Sequence, residues 1–331
     1  MSQPRYDVVA IGNAIVDVLS QADDVFIAAE GMAKGSMQLV FSPADADALY
    51  AKMGPGVEAS GGSAANTVAA MAAMGARCGF IGQVADDQLG EVFAHDIRAA
   101  GVDFATAARE GEPTTARCLI FVTPDGQRTM NTFLGASQFL PEAALGRQVI
   151  ADAAILYLEG YLWDPEEPRA AMRAAIEVAR KAGRKVAFTL SDTFCISRHG
   201  DDFRKLIADG LVDILFANEA ELLALTGADG FDKGLAQLAA VPTLVVTRGA
   251  EGATAVQGGR RVEVAAEPIA QVVDTTGAGD LFAAGFLTGQ TRGAGLEQSL
   301  RLGAACAAEI LSHYGARPQT DMQALAARVL G

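Results

Sequence analysis

The residues that could carry out chemistry are concentrated in one stretch, residues 274–280, which reads Asp-Thr-Thr-Gly-Ala-Gly-Asp. An apolar run, residues 281–287, follows directly, so a loop of small residues here leads into a helix. Backbone N–H groups and the positive end of the helix dipole can hold an anion at such a turn. Asp280 would be repelled by a bound phosphate unless it takes a proton from a hydroxyl that attacks this phosphate. The stretch therefore predicts a kinase for small alcohols, with Asp280 as its base.

The backbone groups expected to form the anion hole belong to Gly277, Ala278 and Gly279. The same residues also fit an ordinary helix N-cap, in which the Asp280 carboxylate binds amides of the first turn. From this loop alone the cap is the simpler interpretation. The choice between the two depends on what the rest of the chain places around Asp280.

Composition limits the partners of the chain. Its 331 residues, 50% of them hydrophobic, can bury a large core, and its formal net charge is −14. This charge argues against nucleic acid or an anionic membrane as a partner, whereas ATP can still bind through backbone amides and Mg²⁺. The four cysteines are widely spaced, as in free thiols of a reducing compartment. Neither a signal-peptide pattern nor an apolar run of membrane-spanning length occurs, so we expect a cytoplasmic protein.

Two polar residues follow the first apolar run of the chain, residues 8–12. A continuous apolar run that ends in glycine is typical of a buried parallel strand. Asn13 and Asp17 then lie near its carboxyl end, where open α/β sheets bind ligands. Loop capping is the local alternative for the pair. No GxGxxG motif follows the strand, so a dinucleotide-binding turn is not expected.

A second candidate loop precedes an alanine-rich helix that runs to Met74. Gly61 and Gly62 allow the backbone to approach a ligand closely, and Ser63 and Asn66 offer a hydroxyl and an amide. Taken alone, an ordinary loop–helix junction with a serine cap explains the stretch equally well. The loop thus adds candidate ligands for an alcohol substrate.

The remaining pattern predicts one α/β domain, residues 1–331, with a lid. Strands and helices alternate from residue 154 onward, which indicates a mostly parallel sheet covered by helices on both faces. Residues 14–42 read instead as short strands and a turn, and residues 112–137 contain a hairpin around Pro-Asp-Gly-Gln. We expect these two insertions to form a small β-sheet over the site.

Two more polar loops follow predicted strands in the second half of the chain. Asn218 and Glu221 come after the strand at residues 212–216, where capping of the next helix is the local alternative. Thr247, Gly249 and Gly252 end the strand at residues 242–247, where a plain turn is the alternative. All the candidate loops therefore fall at the carboxyl ends of strands in one predicted sheet.

Together these motifs resemble those of the ribokinase-like (PfkB) carbohydrate kinases, over most of the chain. Residues 274–280 resemble the C-terminal signature of that family, and the spacing of Gly62 and Asn66 resembles its N-terminal signature. A looser likeness of residues 60–67 to the GHMP kinases fits less well, and no P-loop motif occurs. The resemblance implies a three-layer αβα sandwich with a β-lid. It also implies ATP-dependent phosphorylation of a hydroxymethyl group.

The resemblance further implies roles for individual residues at the nucleotide. The residues expected at ATP are Asn218, Glu221, Thr247, Gly249 and Gly252. Glu221 would act on Mg²⁺ through the water shell of the metal. Asp274 and Thr276 match positions near which the family often holds a monovalent cation, K⁺. Arg128, in the second lid arm, would approach the substrate and the phosphates; a solvated charge on an edge strand is the alternative.

The same resemblance bears on the acceptor. The residues expected to hold it are Asn13, Asp17, Gly61, Gly62, Ser63, Asn66 and Arg128. Ser63 stands where ribokinase-type members have lysine, and the Asp17 carboxylate suits a vicinal diol. These features resemble those of the adenosine kinase-like branch. We therefore expect adenosine as the substrate, which would be converted to AMP.

Other interpretations remain open at this point. Glu159 resembles the sugar kinases of the family, which keeps ribose, fructose or a related carbohydrate as the alternative acceptor. A non-catalytic nucleoside- or sugar-binding regulator is the alternative of another class, against which the intact Asp280 argues. A monomer and a homodimer formed through the lid are both compatible with the sequence.

Overall fold

The computed structural model describes residues 4–331 of the chain. Fourteen strands form two sheets, and twelve α-helices cover them. The strands are β1 Tyr6–Ile11, β2 Ile15–Gln21, β3 Met37–Leu39, β4 Gly56–Gly61, β5 Cys78–Ile81, β6 Val102–Phe104, β7 Ala116–Val122, β8 Arg128–Phe133, β9 Ala153–Glu159, β10 Lys185–Thr189, β11 Ile214–Asn218, β12 Thr243–Thr247, β13 Ala253–Gln257 and β14 Arg260–Val264. The α-helices are α1 Asp24–Ala29, α2 Pro43–Tyr50, α3 Ser63–Ala73, α4 Gln88–Ala99, α5 Arg147–Ala151, α6 Glu166–Lys181, α7 Thr193–Ala208, α8 Glu219–Thr226, α9 Phe231–Gln237, α10 Ala278–Thr291, α11 Leu296–Leu311 and α12 Met322–Leu330.

The larger sheet has nine strands in the order β14-β13-β12-β11-β10-β9-β1-β5-β6. Neighbours from β12 through β6 pair in parallel, while β13 and β14 form an antiparallel edge. Val8 and Ala10 of β1 pack into a core shared with α3, α10 and α11. Val9 and Ile11 pack on the opposite face, against α6 and α7. Alternate residues thus enter two cores, which confirms the predicted three-layer α/β fold.

The lid is a five-stranded sheet in the order β3-β8-β7-β2-β4. Strand β4, which precedes α3, pairs antiparallel with β2, so the first lid segment extends to Gly61 rather than ending at residue 42. The same segment contains the short helix α1, which the sequence pattern did not predict; the Asp23 side chain caps it by accepting the N–H of Phe26 at 2.7 Å. The predicted hairpin is present as β7 and β8.

Other boundaries differ from the sequence-based ones for identifiable reasons. Helix α7 begins at Thr193, because Asp192 caps it by accepting the N–H of Cys195 at 2.6 Å. Strand β14 was missed because its residues are largely exposed and polar, with the burial that marks a strand confined to Val262 and Val264. Within residues 4–331, no helix is long and apolar enough to cross a membrane.

The register of the sheet aligns the candidate loops. Asn218 of β11 pairs with Thr247 of β12, so the loops after these strands begin at the same level. Ile11 of β1 pairs with Leu158 of β9, which sets Asn13 beside Glu159. The parallel sheet therefore gathers the loops predicted from sequence along one edge.

Candidate active site

Asp280 lies in the first turn of α10, where this helix meets the start of α3. Its carboxylate accepts the hydroxyl of Ser63 at 2.6 Å and the amide of Asn66 at 3.0 Å. Its backbone carbonyl accepts the hydroxyl of Thr67 at 3.1 Å. No side chain caps α10 by a hydrogen bond, so the N-cap interpretation of Asp280 is wrong. The structure instead brings the two glycine-rich loops together on one carboxylate.

The surroundings of Asp280 raise its pKa above the ordinary value for aspartate. Burial is the main cause, because it disfavours the charged form. The hydrogen bonds from Ser63 and Asn66 and the charge of Arg317 oppose this effect and favour the carboxylate. Asp280 is thus a more basic carboxylate than a solvated one, and part of its side chain remains accessible. Such a group can accept a proton from a hydroxyl.

The turn before α10 presents unpaired backbone donors. Gly277 adopts a left-handed conformation with φ of 79°, which a residue with a side chain rarely takes. Across residues 4–331, nothing accepts the N–H of Gly277 or Gly279, and that of Ala278 makes a long bond of 3.3 Å to Thr275. A Cβ built on Gly279 would meet only open space within 4 Å. The helix N-terminus can therefore accommodate an anion through these donors.

Asn13 and Asp17 lie beside this turn and are fitted closely to the glycines. A Cβ on Gly61 would approach the Asp17 carboxylate to 2.6 Å, and one on Gly62 would approach the Asn13 carbonyl oxygen to 2.1 Å. The two glycines are thus required for packing against Asn13 and Asp17. This differs from the sequence interpretation, in which they admit a ligand to the backbone.

The Asp17 carboxylate accepts no hydrogen bond from any described part of the chain. Burial raises its pKa from 3.8 to about 6, opposed by the charges of Arg128 and Arg317 and reinforced by that of Asp280. An unpartnered carboxylate that is partly removed from water is unusual. It can accept two hydroxyl groups from a ligand.

Glu159, whose role the sequence left open, positions Asn13. It is fully buried and accepts the backbone and side-chain N–H groups of Asn13 at 2.8 and 2.7 Å. Its second oxygen accepts the N–H of Ala64 at 2.7 Å. Burial raises the pKa of Glu159 to about 7, although these three hydrogen bonds favour the carboxylate. The Asn13 amide oxygen in turn accepts the hydroxyl of Ser137 at 2.9 Å.

A cavity of about 380 Å³ opens beside Asn13 and Ser63. Most of its wall area is apolar, although the charged side chains of Glu159, Asp164, Asp192 and Arg198 also line it. The apolar walls are formed by Ile15, Met37, Leu39, Leu134, Tyr161 and Phe194. Lid strand β3 supplies Met37 and Leu39, so the cavity lies between the lid and the large sheet.

Arg317 is a site residue that the sequence pattern did not reveal. Its guanidinium donates to the amide oxygen of Asn66 at 2.9 Å and to the carbonyl and hydroxyl of Ser60 at 2.7 and 2.6 Å. Burial lowers its pKa, which the nearby charges of Asp96, Asp17 and Asp280 oppose. Because Asn66 uses its oxygen for Arg317, its NH₂ group is directed to Asp280. No local motif marks this arginine, since Asn66 lies 251 residues away.

Asn218 and Glu221 form a reciprocal capping box at the junction of β11 and α8. Asn218 accepts the N–H of Glu221 at 2.8 Å, and the Glu221 carboxylate accepts the N–H and amide of Asn218 at 3.0 and 2.6 Å. Burial raises the pKa of Glu221 to about 7. The local capping alternative is therefore realised. Each carboxylate oxygen of Glu221 accepts one hydrogen bond in this box.

Thr247 ends β12 beside this capping box and leads into a short 3₁₀ turn, Gly249–Glu251. Gly249 and Gly252 have φ of 56° and 92°, and a Cβ on Gly252 would approach the Val264 carbonyl oxygen to 2.0 Å. Only glycine fits this turn. Residues 4–331 contain no group of three or more His, Cys, Asp or Glu side chains that could hold a metal ion.

Arg128 begins lid strand β8 and forms a buried ion pair with Asp274, with the two side chains 6% and 5% exposed. The solvated edge-strand interpretation of Arg128 is therefore wrong. Asp274 also accepts the N–H of Thr276 at 3.0 Å and that of Gly315 at 3.0 Å. Burial acts to raise the pKa of Asp274, but these two N–H groups and the Arg128 charge outweigh it and hold the pKa below its ordinary value.

Comparison with known proteins places this geometry in a family. The adenosine kinase from Sinorhizobium meliloti is 48% identical, with a TM-score of 0.90, over 98% of this chain and 99% of its own. A probable sugar kinase from Rhizobium etli CFN 42 is 44% identical, with a TM-score of 0.91 and the same coverage. Fructokinase-1 from Oryza sativa subsp. japonica is 29% identical over 88% of this chain and 95% of its own.

Residues 35–322 match the pfkB family of carbohydrate kinases. This range includes the glycine-rich loop at Gly61 and Gly62 and the glycine-rich turn at Asp280. Kinases of this family use ATP, typically with Mg²⁺, and phosphorylate small-molecule substrates that are sugars or nucleosides. The chain therefore belongs to the pfkB carbohydrate kinase family and is a phosphotransferase that acts on the hydroxyl group of a sugar or nucleoside.

Proposed function

We propose that the protein phosphorylates the hydroxymethyl group of a nucleoside, adenosine first, to give AMP and ADP from ATP. One observation carries the catalytic part of this proposal. The Asp280 carboxylate belongs to the first turn of α10, the same turn that carries the unpaired N–H groups of Gly277 and Gly279. A proton acceptor and an anion site are thus held side by side, as transfer of a phosphoryl group to an alcohol requires.

In the proposed reaction the acceptor hydroxyl binds at Asp280 and attacks the γ-phosphorus of ATP. The new O–P bond forms as the bond to the β,γ-bridging oxygen breaks, and ADP leaves with that electron pair. Asp280 takes the hydroxyl proton, while the N–H groups of residues 277–279 stabilise charge on the migrating phosphoryl group. Ser63 and Asn66 orient the carboxylate for this transfer through their hydrogen bonds.

Nucleotide binding is proposed to follow the aligned loops at the edge of the sheet. Thr247, Gly249 and Gly252 would receive the ATP phosphates through a hydroxyl and backbone amides. Mg²⁺ would arrive with ATP and neutralise its phosphate charge. Asn218 and Glu221 would contact the water shell of the metal, since their direct hydrogen-bonding capacity is used in the capping box.

Two features support a nucleoside as the acceptor. The unpartnered Asp17 carboxylate can accept both hydroxyls of a ribose 2′,3′-diol. The largely apolar cavity is lined by Ile15, two residues before Asp17 in β2, and its walls of Leu134 and Phe194 suit the flat face of a nucleobase better than a fully hydroxylated sugar. The 48% identity to the Sinorhizobium meliloti adenosine kinase points the same way.

A sugar such as ribose or fructose is the second candidate acceptor. It is favoured by the likeness to fructokinases, among them the enzyme of Klebsiella pneumoniae, which is 32% identical over 70% of this chain and 77% of its own. Glu159 was the residue that suggested a sugar from sequence. Its oxygens already accept three N–H groups, so it has little capacity left for a sugar hydroxyl.

We also place the enzyme in the cytoplasm. All four cysteines are free and buried. Burial raises the pKa of Cys118 and Cys306 to about 12, so both remain thiols. Thiols kept apart in this way are typical of proteins from a reducing compartment.

The acceptor is tested by measuring ADP formation with ATP and Mg²⁺ in the presence of adenosine, other nucleosides, ribose or fructose. We expect kcat/KM for adenosine to exceed that for either sugar by about 10²-fold or more, because a nucleobase can cover the apolar walls of the cavity and a sugar alone cannot. Mass spectrometry should identify AMP as the product. A sugar that outperforms adenosine would contradict the nucleoside assignment. Binding of adenosine without ADP formation would instead support a non-catalytic regulator.

A further inference from the structure

The buried ion pair between Arg128 and Asp274 joins the lid to the turn that precedes α10. Arg128 is the first residue of lid strand β8, and Asp274 precedes the anion-hole residues by only a few positions. The two are 146 residues apart in the chain. A contact that is buried on both sides connects these two parts of the molecule.

Asp274 is one of the residues expected to lie at a monovalent cation, but the groups around its carboxylate do not fit such an ion. One carboxylate oxygen accepts the N–H of Thr276 at 3.0 Å. The other accepts the N–H of Gly315 at 3.0 Å and the guanidinium of Arg128. A cation at this carboxylate would therefore meet a guanidinium at contact distance, and like charges repel strongly in a buried site.

The Arg128 side chain has no other anchor in the described part of the chain. Its Nε is buried and makes no hydrogen bond. The Arg128 charge also acts on Asp17, where it opposes the rise in pKa that burial causes. The positive charge of Arg128 is thus held between the acceptor side of the site and the turn.

We propose that the guanidinium of Arg128 takes the place of the monovalent cation and neutralises Asp274, so that this kinase works without K⁺. Arg128 is in this respect a positioning residue: it holds the carboxylate that binds the N–H of Thr276 and so fixes the backbone leading to Gly277. Because the charge comes from β8, the turn is complete only when the lid is in place. The catalytic part of this inference rests on the function proposed above, whereas the cation preference of the folded protein does not.

The first test measures thermal stability without nucleotide or substrate in KCl, NaCl and tetramethylammonium chloride at equal ionic strength. We expect the Tm of the unmodified protein to be the same within about 1 °C in all three salts, because Asp274 already has a counter-charge. In Arg128→Met this carboxylate is buried without one. The variant should therefore be stabilised specifically by K⁺ or Na⁺ relative to tetramethylammonium.

Arg117→Met is the matched control. Arg117 lies on the neighbouring lid strand β7, is equally buried with 6% of its side chain exposed, and forms an ion pair with Asp47. Its loss removes a buried lid arginine at the opposite end of the β7–β8 ladder from Arg128, so it should create no preference among the three cations. Arg128→Lys supplies a second check, since it keeps a positive charge and should remain indifferent to the cation.

The second test compares kcat in KCl and in tetramethylammonium chloride. The unmodified enzyme should show rates equal within twofold, whereas Arg128→Met should lose at least tenfold in tetramethylammonium and recover part of this loss in K⁺. A K⁺-specific rise in Tm or a rate increase above fivefold in the unmodified protein would overturn the inference, as would a folded Arg128→Met that has no cation preference. If no acceptor supports turnover, the Tm comparison still decides the cation question while the proposed function fails.

Discussion

Replacing Asp17 by asparagine should make the protein more stable while impairing its activity. Burial raises the pKa of this carboxylate from 3.8 to about 6, and no N–H or O–H group in residues 4–331 donates to it. Above pH 6 Asp17 is therefore ionised in both the folded and the unfolded protein. Its charge is less well solvated in the folded protein, and this lowers the free energy of unfolding. Asparagine has nearly the same shape and carries no charge, so the substitution removes this penalty.

The size of the effect follows from the pKa values. A difference of about 2 in pKa corresponds to about 3 kcal/mol at pH 8, since each unit is worth about 1.4 kcal/mol. Water reaches part of the side chain, and this reduces the expected gain in the free energy of unfolding to about 1–2 kcal/mol. The penalty is absent below the unfolded pKa of 3.8 and grows as the pH rises through about 6. The gain should accordingly fall by about half between pH 8 and pH 5.

Urea unfolding of both proteins at pH 5 and pH 8 measures this gain. Asp45→Asn is the control, because Asp45 is an exposed carboxylate in the first turn of lid helix α2, and loss of its charge there should destabilise the protein by up to about 1 kcal/mol rather than stabilise it. Asp17→Asn should also lower kcat/KM for adenosine by about 10²-fold, through weaker hydrogen bonds to the diol. A variant that is no more stable than the unmodified protein at pH 8, or whose gain is independent of pH, would refute the reasoning.

Two further predictions concern the groups around the site. Arg317→Gln should lower kcat by about tenfold and destabilise the protein by about 3 kcal/mol, because Asn66 and Ser60 lose a charged hydrogen-bond donor. Steady-state kinetics and urea unfolding measure these two effects. An unchanged kcat would show that Asn66 does not need Arg317 to hold its orientation. Deleting the β7–β8 hairpin tip, residues 124–127, should raise ATP hydrolysis without acceptor several-fold, because the lid then excludes water less well. The tip is anchored through Asp125, which accepts Lys34 at 2.6 Å. ADP release that does not increase would argue against a sealing role.

The sequence allowed the architecture and the glycine-rich turn before α10 to be predicted because both are local patterns. Apolar runs ending in polar loops located β1, β11 and β12, and parallel pairing then forces their carboxyl ends to one edge. Gly277 and Asp280 were recognisable for the same reason, since a glycine-rich turn before an apolar helix is typical of a helix N-terminus that binds an anion. Strand β4 was not found, since Gly56 and Val57 are exposed at the edge of the lid and carry no core signal.

The supporting residues could not be predicted because their partners are distant in the chain. Glu159 meets Asn13 from 146 residues away, and Arg317 meets Asn66 from 251. Gly61 leaves room for the Asp17 carboxylate because it has no side chain, and this contact likewise depends on the pairing of β4 with β2. Arg128 was expected at the substrate, yet its ion pair with Asp274 follows only from how the lid folds onto the turn.

The central claim is that Asp280 accepts the proton of the acceptor hydroxyl beside an anion-binding turn. Its most direct test is the kcat of Asp280→Asn, which keeps the shape of the side chain and the partners Ser63 and Asn66. We predict that kcat falls by about 10²–10⁴-fold while the Kd for ATP changes by no more than about threefold. A variant that turns over at the unmodified rate, or whose loss lies entirely in ATP affinity, would contradict this account.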